Sequence, residues 1–345
     1  DKEDKLMSNF NNNSYQSLVA DLIGDTFYKD TSVSGRISFV RKYAEVVIRK
    51  ILDIDPNRAV TLGAKNVQNR IKNLPNHEFI EAAVETVRGK GNQSTHTQYL
   101  GGFDSEDFDN VVDGLFDMLS YLLISYFEKY EFGSRNDVLY SFSMLPPIIR
   151  YKVLSFLYKK YPDNISVIDK LVLATVKAFS VDEATEWVER EKNALIKMGT
   201  VTEKAFNEIA EKEGIGFAEL IRNNSPANMY ILCKMKISEV GDMVNSRGVL
   251  YTDFESALPH YKSRGILTGD DWETTEFNDI MNFKFYPQLI IEKPSVFKQG
   301  VFQLLFFLNE TAPDNSPGLS IGLNYLFFIL SFDICNTLSK VSISY

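Results

Sequence analysis

The chain has 345 residues, of which 44% are hydrophobic and 24% charged, a composition typical of a globular protein with sizeable cores. Its formal net charge of -9 excludes a protein that coats nucleic acid non-specifically, because phosphate neutralisation needs clustered Lys and Arg. One local basic site remains compatible with that charge. The three histidines are too few for a His-rich metal centre, and we expect no metal and no cofactor.

Cysteine usage and hydropathy bear on the compartment. Cys233 and Cys335 lie far apart, so we expect free buried thiols in a reducing, cytoplasmic environment. The charged, Asn-rich start has no secretory signal before Leu18. The most apolar stretch, Leu319–Phe332, is shorter than the ~20 residues of a spanning helix, so a buried core element is favoured over a membrane segment.

Residues 1–34 are predicted to be a polar lead with one short helix, Tyr15–Phe27. Residues 35–131 are predicted to form an all-α bundle, because apolar residues recur at helical spacing. Its predicted helices are Gly35–Leu52 with Ser34 as a possible cap, Leu62–Leu74, Glu78–Val87, and Ser105 to Phe127. The acidic run of Glu106, Asp107 and Asp109 is better explained as the start of the last helix than as a metal site.

The stretch Val87–His96 is the one place where an Arg, an Asn and a His fall at equal steps of four. If it is helical, Arg88, Asn92 and His96 make one stripe, since four residues are about one turn. Gly89 and Gly91 each weaken such a helix by roughly 1 kcal/mol relative to Ala. The alternative is a helix that ends near Gly89, a turn, and a new helix capped by Asn92.

Charge divides this bundle into two parts. Residues 29–100 carry twelve Lys or Arg against seven acids (+5), and residues 101–131 carry one Lys against eight acids (-7). Two solvated faces would explain this, and so would an anion site or self-association through opposite faces.

Two further regions follow. Residues 138–222 are predicted to be a second helical domain, in which Pro146-Pro147 begins a helix. Residues 223–345 mix β-branched and aromatic residues with turn signals and are predicted to be mixed α/β or irregular α. Trp187, Trp272 and the run Phe302–Phe307 could anchor an interface, although core packing explains each of them as well. The fold class expected is therefore mainly α.

RNA cleavage without a metal needs a base for the ribose 2′-OH and a cation for the charge that develops on the phosphate. His96 suits the first task and Arg88 the second, while Asn92 could orient either partner. From the residues alone, an Asn92 that caps a helix and a His96 that packs in the bundle or bonds a carbonyl are favoured over a catalytic site.

The order Arg88-x-x-Gly91-Asn92-x-x-x-His96 resembles the signature of a prokaryotic branch of the HEPN superfamily (higher eukaryote and prokaryote nucleotide-binding). The predicted first helix, with Arg41 and Glu45, is similar to the first long helix of that family. The long apolar helix after His96 is similar too, and the resemblance covers about residues 35–130.

The resemblance implies a helical bundle that usually dimerises and often acts as a metal-independent ribonuclease of toxin or antiphage defence systems. It implies that Arg88 stabilises phosphate, Asn92 positions, and His96 is base or acid. The gap between Arg88 and His96 is longer than in the best-characterised catalytic members, and Lys90 could substitute in part as a substrate-binding cation. Other members of this branch are non-catalytic, RNA-binding or adaptor modules. The expected partners are RNA, a second copy of the chain, and a protein trigger at the C-terminal region.

Overall fold

The computed structural model describes residues 13–55, 57–95, 102–249, 251–285 and residue 287, and these ranges contain fifteen α-helices and no strand. The helices are α1 (Asn13–Ile23), α2 (Val33–Ile51), α3 (Lys65–Lys72), α4 (His77–Thr95), α5 (Ser105–Lys129), α6 (Asn136–Phe142), α7 (Pro147–Lys160), α8 (Ile165–Ala178), α9 (Val181–Arg190), α10 (Lys192–Leu195), α11 (Glu203–Glu213), α12 (Ile215–Asn224), α13 (Met229–Arg247), α14 (Phe254–His260) and α15 (Trp272–Phe285). The prediction of a mainly α fold is confirmed.

The helix starts follow local capping chemistry. Ser32, rather than Ser34, caps α2: its hydroxyl accepts a hydrogen bond from the Gly35 amide at 3.2 Å. Pro147 is the first residue of α7, as predicted, because the amide that proline lacks has no helical partner at that position.

Helix α5 lies at the centre of the N-terminal bundle and packs on α2, α4, α7 and α15. Its apolar residues are buried around most of the helix rather than along one stripe. Gly114 allows the closest approach, since a Cβ there would stand 3.1 Å from Val87 Cγ2 and 3.2 Å from the Ala83 carbonyl oxygen on α4. The predicted bundle helices therefore form the first core.

A second core joins α8, α9 and α13. It includes Val172, Val188, Cys233 and Ile237, all buried. Cys233 is a free thiol, as expected, and burial raises its pKa to about 12. Trp187 packs against this core edge-to-face with Tyr158, so core packing explains it better than an interface does.

The described part of the third region is helical. Residues 223–285 contain α13, α14 and α15, so the irregular α alternative holds for them rather than mixed α/β. Helix α15 packs on α5, and its first residue, Trp272, is 50% exposed. Leu319–Phe332, Phe302–Phe307 and Cys335 lie outside the described residues. The predicted boundaries at 131, 138 and 222 stay predictions, while all the described residues belong to one compact unit.

Within the described ranges, no helix combines the length and the apolar character that crossing a bilayer requires.

Candidate functional site

Helix α4 is continuous from His77 to Thr95, through both glycines of the Val87–His96 stretch. The predicted end of this helix at Val87 is wrong, and so is the alternative in which Asn92 caps a new helix. Asn92 lies inside α4, where its carbonyl accepts a hydrogen bond from the Thr95 hydroxyl at 3.0 Å. Arg88 and Asn92 are therefore one turn apart on one face.

Packing against α2 explains why Gly91 is accommodated inside the helix. Gly91 is buried, and a Cβ built on it would stand 2.7 Å from Cδ of Arg41 and 3.0 Å from its Cβ. Only glycine admits the Arg41 side chain so close to the α4 backbone. This contact offsets the roughly 1 kcal/mol that glycine costs inside a helix.

The last turn of α4 is also tied to α2 by hydroxyl groups. Ser34 donates to the Ser94 carbonyl at 3.3 Å, and the hydroxyls of Ser38 and Ser94 lie 3.0 Å apart. Arg41 Nη1 donates to the Thr95 hydroxyl at 3.4 Å. The end of α4, which directly precedes His96, is therefore held against α2.

Arg88 is partly exposed and forms a bidentate pair within its own helix. Its Nε and Nη2 atoms donate to the two carboxylate oxygens of Glu85, at 2.9 Å and 2.6 Å. The hydrogen bond to Glu85 raises the pKa of Arg88 above its already high value. The guanidinium fork is thus held in one orientation, and an incoming phosphate must compete with a carboxylate.

Asn92 continues the stripe of Arg88, is half-buried, and makes no side-chain hydrogen bond to the described residues. His96 lies outside the described residues, one position beyond the end of α4. The structure therefore brings Arg88 and Asn92 together, whereas the position of His96 relative to them stays a prediction.

Lys90 lies on another side of α4. Its ammonium group pairs with Asp107 in the first turn of α5 and holds the pKa of that carboxyl below its usual range. Asp107 also forms a capping box with Asp104. The structure thus directs Lys90 toward α5 rather than toward the face of Arg88 and Asn92. The acidic run is a helix start, as expected.

Sequence reasoning assigned no site role to Arg41, which the structure places against the last turn of α4. Its Nε lies 3.8 Å from the half-buried carboxyl of Glu45. Burial raises the pKa of Glu45, and the neighbouring cations Arg41, Arg49 and Lys42 lower it in part. An Arg and a Glu one turn apart on a predicted amphipathic helix were the available signal. We name the Arg41, Arg88, Asn92 and Thr95 side chains the α4 face.

No protein-family model, no curated protein and no solved structure matches this chain. In the described part of the chain, no three His, Cys, Asp or Glu side chains are grouped closely enough to hold a metal ion.

Proposed function

We propose that the chain is a HEPN-like RNA-cleaving effector of a toxin or antiphage defence system, with its C-terminal part as regulator or sensor. The observation that supports this proposal is the continuity of α4, which puts Arg88 and Asn92 one turn apart and partly exposed just before His96. A break in the helix after Val87 would separate Arg88 from Asn92. On the continuous helix, Arg88 and Asn92 share a face.

The proposed chemistry needs no metal. His96 takes the proton of a ribose 2′-OH, and the 2′-oxygen attacks the adjacent phosphorus. The 5′-oxygen of the next nucleotide leaves and takes up a proton, so the products are a cyclic phosphate end and a free 5′-OH end. Arg88 stabilises the charge that develops on the phosphate, and Asn92 orients the phosphate or His96.

The α4 face adds one cation to that scheme. Arg41 reaches the last turn of α4 from α2, so a phosphate beside Asn92 would meet cations from two helices. Lys90, by contrast, would contribute to RNA binding from the side that faces α5. Two copies of the chain would bring two such faces to one cleft.

A second candidate is a non-catalytic RNA-binding or adaptor module in a defence complex. The internal pairing of Arg88 with Glu85 and of Lys90 with Asp107 favours a role without catalysis, because a carboxylate already opposes each cation that would stabilise a reacting phosphate.

The test uses the full chain and total RNA, with and without EDTA, followed by analysis of the RNA ends. We expect EDTA-resistant cleavage with cyclic phosphate ends. Arg88→Ala and His96→Ala should each lower the rate by about a hundred-fold or more, the usual contribution of general acid–base and electrostatic groups. Lys197→Ala, which removes an exposed cation elsewhere, is the control.

Retained cleavage in both site variants contradicts the proposal. RNA binding that depends on Arg88, without cleavage by the wild-type chain, supports the adaptor module instead. If the chain neither binds nor cleaves RNA, that result contradicts the RNA-cleaving effector and the RNA-binding form of the second candidate, and it leaves the adaptor without RNA binding.

A further inference from the structure

Arg150, near the start of α7, is a buried cation that has no partner among the described residues. Its side chain is 7% exposed, and its Nε atom has no hydrogen-bond partner. It forms no hydrogen bond or ion pair with the described residues. Burial alone lowers the pKa of Arg150 to about 10. A buried charge of this kind is costly unless something compensates it, so the position calls for an acceptor that the described residues do not supply.

A second cation lies beside it. Lys177 is a half-buried residue in the last turn of α8, and it also has no ion pair with the described residues. Burial, then Arg150, then Lys170 lower the pKa of Lys177 to about 8. The neighbouring rings of Tyr151 and Phe179 lie 4.7 Å apart, which places the start of α7 beside the end of α8. The influence of Arg150 on the pKa of Lys177 agrees with that geometry.

The nearby charges do not neutralise this pair. Lys170 is 3.2 Å from Asp169, and the same carboxylate also pairs with Lys236. No acidic side chain among the described residues raises the pKa of Arg150 or of Lys177, so this pair lacks a counter-charge there. The first turn of α7 holds no acidic residue, and Pro146 offers no side-chain cap.

Topology explains why these groups meet. A turn at residues 161–164 joins α7 to α8, and the two helices pack along each other. The start of α7 and the end of α8 therefore lie at the same end of the pair. Helical side chains lean toward their own N-terminus, so Arg150 leans toward the start of α7, where the helix dipole is positive.

We propose that Arg150 and Lys177 bind a phosphate dianion, either inorganic phosphate or the terminal group of a small phosphomonoester. Two unpaired cations match two negative charges, and the guanidinium fork suits two oxygens of one phosphate. The Nε atom of Arg150 is closed to solvent, whereas its two Nη atoms keep some contact with solvent. A ligand therefore reaches Arg150 end-on, which selects a compact terminal oxyanion over a backbone phosphodiester. This site does not depend on the proposed RNA cleavage.

The test measures thermal unfolding of the full chain in sodium phosphate or glycerol phosphate, against sodium chloride at the same ionic strength. Stabilisation by at least one phosphate compound beyond that of chloride is expected, since a ligand of the folded state raises the melting temperature. A response to both probes, or to inorganic phosphate alone, points to the free ion. A response to glycerol phosphate alone points to an ester.

Arg150→Met and Lys177→Met are expected to weaken phosphate binding by about ten-fold or more each, because a charge-assisted hydrogen bond exceeds the free energy of a ten-fold change. Lys159→Met, which removes an exposed cation from the same helix, should leave the affinity unchanged. Without phosphate, Arg150→Met should unfold at or above the wild-type temperature, since methionine removes an uncompensated buried charge.

Three results overturn the proposal. One is equal stabilisation by chloride and both phosphate probes, which means screening only. Another is an unchanged phosphate response in Lys177→Met, a variant that keeps Arg150 in place and so tests Lys177 by itself. The third is loss of the response in Lys159→Met to the same degree.

Discussion

At the scale of the residue, the pair of Arg88 with Glu85 decides what the α4 face offers a ligand. The pair lies within one helix and is partly exposed, so its net contribution to stability is small, about 1 kcal/mol or less. A phosphate that competes with Glu85 therefore gives up little. The same pair holds the guanidinium in one orientation through two hydrogen bonds.

Gly91 is the residue on which the geometry of that face depends. Gly91→Ala is expected to lower the free energy of unfolding by about 1–3 kcal/mol, because its Cβ would stand 2.7 Å from Arg41 Cδ and force a shift of α2 or α4. Urea unfolding followed by circular dichroism measures the change.

Gly89→Ala is the matched control, two residues away in the same helix. A Cβ at Gly89 has nothing within 4 Å, so alanine should stabilise the chain by up to about 1 kcal/mol through helix propensity. If both substitutions stabilise the chain, Gly91 is not required for the approach of Arg41, and the account of the continuous helix fails.

The sequence predicts the Arg88–Asn92 stripe only as one of two alternatives. Its local signals favour a break, since glycine is a poor helix former and Asn is a good cap. The decisive contact comes from Arg41, which is 50 positions earlier in the chain (91 minus 41). Such a contact has no signature in the neighbourhood of Gly91, which is why the structure was needed to choose.

At the scale of the element, the start of α5 joins two helices of the site. Asp107 pairs with Lys90 of α4 and, with Asp104, forms the capping box of α5. One carboxylate thus satisfies the first turn of the central helix and also holds the end of α4 beside it.

Asp107→Asn should lower the free energy of unfolding at neutral pH, because asparagine keeps the cap but removes the charge. Asp107 has a folded pKa below its ordinary value of 3.8, so its stabilising contribution is present above that value and lost as pH falls through the folded pKa. The difference between wild type and variant should therefore shrink as pH falls below about 4. Urea midpoints across acidic pH measure it.

Glu106→Gln is the control for this experiment, since Glu106 is an exposed acid in the same turn and has no ion pair with the described residues. A loss for Asp107→Asn that stays constant down to the lowest pH at which the chain folds would show that the charge of Asp107 is not what holds the helices.

The pattern of apolar residues along a helix decides whether the sequence alone predicts that helix. Helices α2 and α8 bury one stripe, and the 3.6-residue period of their apolar residues reveals them. Helix α13 also buries one stripe, but its exposed face carries Ile231, Met235 and Met243, and these apolar residues hide the helical period. Helix α15 buries residues on several sides, so its apolar residues follow no single stripe. The sequence therefore could not separate helix from strand in either of them.

At the scale of the whole molecule, α15 returns to the N-terminal bundle from more than a hundred residues away. Phe277 is fully buried and its ring lies 5.1 Å from that of Tyr126 on α5. Lys129 pairs with Glu276 at 2.6 Å, and Lys50 of α2 pairs with Asp279. Helix α7 packs on α5 and α8 together, so the first core and the second are linked through it. These contacts predict that residues of all three predicted regions unfold together.

Phe277→Ala tests this cooperativity in a chain whose second tryptophan has been removed. Trp272→Ala should change the free energy of unfolding by less than about 1 kcal/mol because Trp272 is half-exposed, and it leaves Trp187 of α9 as the sole tryptophan reporter. Adding Phe277→Ala should then lower the free energy by about 3–5 kcal/mol, the usual loss for a buried aromatic ring. If α15 and the second core belong to one cooperative unit, Trp187 fluorescence and circular dichroism will shift together to the same lower urea midpoint. If circular dichroism instead falls in two steps while the Trp187 transition stays in place, the bundle and the second core unfold separately, and boundaries between residues 131 and 138 describe two independent domains.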